Sequence, residues 1–333
     1  MGRSTRAGRL NVWMNGEKDV AALLRNAHVS PLAGLPDSGE FRISLAGFQS
    51  KTALLLHKGR WHLPKGSTPT THILKLPMGD KVGVVQADLS ASVENEWLCN
   101  RVLDSFGMSV AHCEMARFED QRVLVVERFD RRLAEDRSWW IRLPQEDMCQ
   151  ALETPLGLKY ESEGAPGMKD ILELLLGSRD SAIDRRTFLK AQVLFWMLCA
   201  IDGHARNFSV FIGRGGRGGR CRLTPLYDVI SAYPILGHDR NQLAPEKARM
   251  AMSVRGRGRQ YLWDRITRKY WLETAKAVGM GGEIGGILEE AIEGTPQALE
   301  KAGNSLPKGF PGRVEEAIFK GIRKAVKRLA VAD

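Results

Sequence analysis

The sequence predicts an α+β chain of two lobes, the first β-rich and the second mainly helical. Two observations predict it. Strand-like runs separated by Gly, Lys, Pro and Ser/Thr turns fill residues 41–76 and return at 122–127, and after Phe129 the pattern changes to long helical segments broken by one short strand pair. The length of 333 residues allows one large domain or two lobes, and 43% hydrophobic with 26% charged residues is a globular composition.

In chain order, residues 10–14 read as a strand and 19–26 as a short helix. Pro31, Pro36 and the glycine between them read as a linker. Residues 41–46, 52–57 and 71–76 are strands. Residues 92–106 form a helix, with Ser92 as its N-cap and Gly107 as its stop. Residues 122–127 add an apolar strand. Helices follow at 145–152, 168–176 and 186–200, then strands at 208–212 and 222–226, then helices and loops. In 313–329, Val314, Ala317, Ile318, Ile322, Val326 and Leu329 share one stripe, which predicts a surface helix with a basic outer face. The expected boundaries are 1–40 for a short N-terminal segment and linker, 41–131 for the first lobe and 132–333 for the second. That layout is the bilobal protein-kinase-like fold, with a nucleotide held between the lobes.

The chain carries 49 Lys and Arg against 39 Asp and Glu, a net charge of +10. Half of the excess lies in the last 33 residues, and further arginines sit in GRGGRGGR (213–220) and in VRGRGRQ (254–260). Two readings stay open: a footprint for nucleic acid or another polyanion, and a set of solvated faces. The glycine-arginine run between two strands reads as a flexible hairpin loop. The longest apolar run, 193–201, is too short to span a membrane. The basic start has no apolar segment behind it, so no secretory signal is expected. Cys99, Cys113, Cys149, Cys199 and Cys221 are irregularly spaced with no C-x-x-C pair, which suits reduced thiols in a cytoplasmic protein.

The sharpest pattern is IDGHARNF, 201–208, lying directly after an apolar helix and directly before a strand. Transfer of a phosphoryl group needs a carboxylate to accept the hydroxyl proton and oxygen ligands for Mg²⁺. Protein kinases supply them from an Asp, an Asn five residues on, and a second Asp after the next strands. Asp202, Asn207 and Asp228 fit that order. His204 orients the loop or touches phosphate, and Arg206 touches phosphate or is solvated. In the first lobe Lys75 ends a strand where a cation would meet the α/β-phosphates, with Glu96 or Glu94 as its helix-borne partner. The loop SLAGFQSKT offers Ser44, Gly47, Gln49 and Lys51, but it is neither G-x-x-x-x-G-K nor G-x-G-x-x-G. Glu127 and Phe129, at the end of VLVVERFD, fall where a hinge would hold adenine.

Over about residues 40–310 the chain resembles the HipA-type Ser/Thr kinases, the toxins of bacterial toxin–antitoxin systems. FRISLAGFQSKTALL, PKGSTPTTHILKLP, SVENE, VERFDRR, LPQEDMCQAL, KYESEGAPG, DGHARNFSVFI and LTPLYDVISAYP carry the likeness, all in one order. The resemblance implies ATP and Mg²⁺ as cofactors, Asp202 as catalytic residue, Asn207 and Asp228 as metal ligands, and Lys75 as the ATP-binding lysine. It implies a nucleotide loop containing Gly47 and Lys51, an adenine hinge at Glu127 and Phe129, and autophosphorylation at Ser44. It also implies an aminoacyl-tRNA synthetase as substrate, with arrest of translation and growth as the outcome. The implied partners are a helix-turn-helix antitoxin (HipB-like) and, through it, operator DNA. An alternative role is that of a DNA-bound co-repressor whose kinase activity is secondary. Two departures stand out. Arg206 replaces the usual lysine, and only about 40 residues precede the nucleotide loop. The second departure resembles compact members whose N-terminal subdomain is a separate small polypeptide (HipS-like).

Overall fold

The structure is a computed structural model that describes residues 16–29, 49–66, 68–79, 87–136, 139–213 and 221–331. The strands expected at 10–14 and 41–46, the linker around Pro31 and Pro36, Ser44 and Gly47, and the run 214–220 lie outside the described residues. The chain divides into two compact units. The first takes Met1–Val82, Leu89–Trp97 and Ala111–Leu143; the second takes Gly83–Asp88, Leu98–Val110 and Pro144–Asp333.

The first unit opens with α1 (Glu17–Val29), longer than the helix expected at 19–26. Strands β1 (Lys51–His57), β2 (Arg60–His62) and β3 (His72–Lys75) follow. Helix α2 (Ser92–Ser105) comes next, its first part in this unit and its remainder in the second. Then come β4 (Cys113–Phe118), β5 (Gln121–Glu127), β6 (Arg131–Leu133) and β7 (Trp140–Arg142). Five strands pair antiparallel in the order β2-β1-β3-β5-β4, while β6 and β7 form a separate hairpin. Lys58 and Gly59 both have positive φ, 49° and 73°, as the two-residue turn between β1 and β2 requires. Val20, Ala21, Leu24 and Ala27 recur at helical spacing on α1. They pack on Leu54, Leu74, Leu76, Phe118 and Val123 to make this unit's core.

Ser92 opens α2, but its hydroxyl accepts the Met78 N–H at 2.9 Å rather than capping the helix. Gly107 ends the helix at φ 76°, with the Met108 N–H reaching back to the Leu103 carbonyl.

The second unit contains β8 (Gln145–Asp147), α3 (Met148–Ala151), α4 (Met168–Leu174), α5 (Ser181–Met197), β9 (Ser209–Ile212) and β10 (Cys221–Leu223). It continues with β11 (Arg249–Arg255), β12 (Arg259–Leu262), α6 (Arg268–Ala277), α7 (Gly281–Asn304) and α8 (Gly312–Ala330). The helix expected at 145–152 is a strand followed by one helical turn. Gln145–Asp147 pairs with β9, and Asp147 then caps α3 by exchanging hydrogen bonds with Gln150. β9 and β10 pair with Ile212 opposite Cys221, as the glycine-arginine hairpin predicts. The β11–β12 hairpin replaces expected helix or loop. Met250 to Val254 are all buried, so β11 shows no alternation to read.

Nearly every residue from Phe188 to Met197 on α5 is buried, so the helix runs through the core rather than along its surface. The stripe on α8 is inward as expected, with Val314, Ile318, Ile322 and Leu329 buried. One cation of that helix is not on the outer face. Arg328 lies over the adjoining Trp196 and Trp263 rings, 5.1 and 5.2 Å from their centroids, which are themselves 6.4 Å apart. Its guanidinium also donates to the carbonyls of Asp264 at 2.6 Å and Ile266 at 2.8 Å. Arg328→Leu removes the donors and the cation–π contacts together, so stability falls by about 2–3 kcal/mol. Urea denaturation checks it as a lower midpoint at unchanged slope. Among the described residues no helix is long and apolar enough to cross a membrane.

Candidate active site

In the second unit the site grows from the end of α5. The loop leaving that helix carries Asp202, Gly203, His204 and Asn207, and Phe208 locks its far end. The Phe208 ring sits against Phe188 and Phe195 at centroid distances of 5.0 and 5.3 Å. Gly203 is required here, because a Cβ would stand 2.6 Å from the buried Phe195 ring.

Asn207 ties the site together. Its side-chain amide donates to the Asp202 carbonyl at 3.0 Å and to the Asp228 carbonyl at 3.3 Å. Both loops that bear carboxylates are thus held by one buried residue. Asp228 has φ 61°, a left-handed backbone that Asp and Asn tolerate better than other side chains. Tyr227, just before it, donates its hydroxyl to the Arg206 carbonyl at 2.9 Å and bonds the Ser209 hydroxyl at 2.5 Å.

The Asp202 carboxylate is 59% exposed. Its Oδ1 accepts the Tyr160 hydroxyl at 2.5 Å, with the Lys159 Nζ at 3.8 Å and the His204 Nε2 at 3.9 Å. Burial, then the hydrogen bond to Asp202, pushes the Tyr160 phenol well above its ordinary value, so it stays a donor. Burial holds the His204 imidazole below its ordinary value despite Asp202. The His204 ring lies edge-on to the Tyr160 ring at 5.5 Å. Arg206 is committed elsewhere: its guanidinium donates to the carbonyls of Leu156 and, at 3.1 Å, Leu158. It is half-buried, with part of its guanidinium held by those carbonyls.

In the first unit Lys75 ends β3, and its ammonium meets Glu96 Oε1 of α2 at 2.5 Å. Both side chains are nearly buried, 7% and 6% exposed. Glu94 pairs with Arg122 at 3.0 Å instead. Two positions apart on a helix face different ways, so one glutamate could reach Lys75 and the other could not. Lys51 stands directly opposite Lys75 in the β1–β3 register, which puts two ammonium groups on one face of the sheet. Polyphosphate satisfies such a pair. Gln49 is buried, and its amide donates to the Leu76 carbonyl at 2.7 Å, fastening the segment before β1 to the end of β3.

Glu127 closes β5. The amide N–H groups of Glu127 and Arg128 donate to His112 and Thr71 carbonyls, each at 2.8 Å. Phe129 follows them, and the buried Asp130 beneath binds Arg128 through two bonds of 3.0 Å and also Arg131. Burial alone would raise the Asp130 carboxyl; the two arginines outweigh it and hold it below its usual range.

The donor set fits Mg²⁺. Both N–H groups of the Asn207 amide donate to protein carbonyls, so its side-chain oxygen, like the Asp228 carboxylate, is a hard donor that would suit the metal. Among the described residues no cluster of three or more His, Cys, Asp or Glu is gathered to hold a metal alone. Phosphate oxygens and water would complete the shell, which is how Mg²⁺ is usually bound.

A β-rich unit with a buried Lys–Glu pair, and a helical unit with the Asp202, Asn207 and Asp228 loops, define a kinase-like fold. The likeness extends to solved structures. HipA of Shewanella oneidensis, in a complex with HipB and operator DNA, matches with a TM-score of 0.74 at 18% identity, covering 98% of this chain and 74% of that one. The proinflammatory kinase CtkA of Helicobacter pylori matches with a TM-score of 0.50 at 10% identity, covering 83% and 90%. At such identities the likeness is one of fold. The chain belongs to the HipA-like C-terminal domain family, whose profile matches residues 43–299. It is 33% identical over 291 residues to "Putative kinase Y4mE" of Sinorhizobium fredii, covering 85% of this chain. It is 29% identical over 204 residues to the Serine/threonine-protein kinase toxin HipA of Shewanella oneidensis, covering 58% of this chain. The matches span 63% and 44% of those two relatives' lengths.

Proposed function

We propose that this chain is an ATP- and Mg²⁺-dependent Ser/Thr protein kinase, the toxin of a toxin–antitoxin system. The observation that carries the reading is the Asn207 amide, bonded to the Asp202 and Asp228 carbonyls at once. It gathers a candidate base and two candidate metal ligands at the end of one buried helix. The Lys75–Glu96 pair and the facing Lys51 support a polyphosphate in the first unit. Glu127 and Phe129 would line the adenine, through groups other than the Glu127 N–H. Gly47 would let the loop backbone approach the phosphates, and Gln49 would hold that loop in place.

In the reaction Asp202 accepts the proton of an attacking serine or threonine hydroxyl. Asn207 and Asp228 hold Mg²⁺, which when bound offsets the charge of the phosphate oxygens. Lys75 positions the α/β-phosphates. His204 keeps the loop in register. The substrate we propose is an aminoacyl-tRNA synthetase, whose phosphorylation stops charging and growth in the cytoplasm. A helix-turn-helix antitoxin is the proposed controlling partner, supported by the HipB and operator DNA that accompany the Shewanella oneidensis structure.

The test is incubation of the purified chain with γ-radiolabelled ATP in bacterial lysate. A labelled synthetase, absent when EDTA removes the metal and restored by added Mg²⁺, supports the reading. Labelling that is indifferent to EDTA sinks it. Phosphate on Ser44 would add nearly two negative charges to the nucleotide loop and repel ATP. Ser44→Ala is therefore expected to keep activity on the target and to lose self-inactivation over time. Mass spectrometry of ATP-treated protein checks it, and an unmodified Ser44 counts against it.

A further inference from the structure

Phosphoryl transfer gathers negative charge on the oxygens of the moving group, close to where the base takes a proton. The candidate catalytic loop has two basic residues of its own, and each is engaged or enclosed. Arg206 is bonded to the carbonyls of Leu156 and Leu158. His204 is buried, 7% exposed, against the Tyr160 ring.

A third cation reaches the same place from outside the loop. The Lys159 ammonium stands 3.8 Å from Asp202 Oδ1 and 4.7 Å above the Tyr160 ring, and its side chain is 29% exposed. Tyr160 donates to the same carboxylate oxygen. This dipeptide is clamped on both sides. Before it, Arg206 binds the carbonyls of Leu156 and Leu158. After it, the Glu161 carboxylate accepts the Ser253 N–H at 2.6 Å and the Ser253 hydroxyl at 3.0 Å, with Arg259 at 3.6 Å. Gly167 leaves room for that carboxylate, since a Cβ would lie 2.5 Å from it. Fixed supports of this kind are what preorganised electrostatic catalysis requires.

We propose that Lys159 is a further catalytic residue, whose ammonium pairs with the oxygens of the transferring γ-phosphoryl group, and that Tyr160 is the positioning residue for Asp202. The inference rests on the kinase reading. In the step, the acceptor hydroxyl oxygen bonds to the γ-phosphorus. The bond from that phosphorus to the β–γ bridging oxygen breaks, and ADP leaves with its electron pair. The hydroxyl proton passes to Asp202. Tyr160 occupies Oδ1, so the other carboxylate oxygen receives it. As Asp202 loses its charge, Lys159 exchanges a carboxylate partner for a phosphoryl partner. Its attraction for the phosphoryl oxygens grows only in the transition state.

The test compares the purified full-length wild type with Lys159→Ala, Lys159→Arg, Tyr160→Phe and Asp202→Asn. The readout is phosphate incorporation from γ-labelled ATP into the chain itself and into lysate protein. Lys159→Ala is expected to lower the rate at saturating ATP about 100-fold, with half-saturating ATP changed less than about threefold. Added methylammonium should restore part of the lost rate, and Lys159→Arg should retain more than Lys159→Ala. Tyr160→Phe should lower the rate about 10-fold at an unchanged melting temperature. Near-wild-type activity in Lys159→Ala, with Asp202→Asn inactive, overturns the inference and leaves the kinase reading standing. A loss that neither methylammonium nor arginine relieves also overturns it, because the role is then structural. Equal background labelling by wild type and Asp202→Asn overturns the kinase reading itself.

Discussion

Asp202→Asn is expected to lower phosphate transfer by about 10³-fold while leaving the fold intact. The variant keeps every support of the loop. Asn207 binds the Asp202 backbone carbonyl, not the carboxylate, and the Tyr160 hydroxyl can donate to an amide oxygen as well as to a carboxylate. The exposed position adds little to the core, so stability should move by less than about 0.5 kcal/mol. What is lost is the acceptor for the substrate proton. Labelling with γ-radiolabelled ATP and a thermal melt read the two effects separately. The same variant divides toxicity from partner binding: a helix-turn-helix antitoxin should still bind it, since no fold element changes. A variant that still labels its target within about tenfold of wild type would remove Asp202 from the reaction.

The second large effect belongs to the buried pair in the first unit. Lys75→Met leaves the Glu96 carboxylate in a site where its side chain is 6% exposed, without the ammonium 2.5 Å away. Breaking a buried ion pair from one side costs about 3–5 kcal/mol, mostly as the cost of the charge left behind. The Lys75→Met, Glu96→Leu double variant should recover much of that stability, because both charges are gone. Neither variant should bind nucleotide well, since Lys51 would be left without the second cation on its sheet face. Urea denaturation of the two single variants and the double variant closes the cycle. Additive losses would mean that the two side chains do not act as a pair.

How much of this was legible in the sequence follows from distance along the chain. Asp202 and Asn207 sit in one loop between a helix and a strand, and Asp228 follows the next strand, so local spacing was enough to propose them. The partner of Lys75 was not legible between Glu94 and Glu96, because the choice depends on the rotation of α2 against β3. Lys159 and Tyr160 lie in KYESEGAPG, a segment with no local pattern that points to chemistry. They reach Asp202 only because Arg206 and Glu161 fold that segment back. Arg206 itself was read as a phosphate contact or a solvated charge, and its real partners are carbonyls nearly fifty residues earlier. β11 was missed because burial on both faces erases alternation, and β4 because Glu114, Met115, Ala116 and Arg117 carry little strand preference. Ser44 and Gly47 lie outside the described residues, so their roles stay with the sequence.

The arginine laid over two tryptophans sets an order of events during synthesis. Trp196 leaves the ribosome just ahead of Asp202, Asn207 and Asp228, but Arg328 follows it by well over a hundred residues. Contacts so far apart in sequence form late. A nascent chain stopped anywhere between them carries the candidate catalytic loop, while Trp196 and Trp263, which bond each other's carbonyls, still lack the cation that covers both rings. Docking of α8 therefore closes the unit late, after the candidate catalytic loop has already been made.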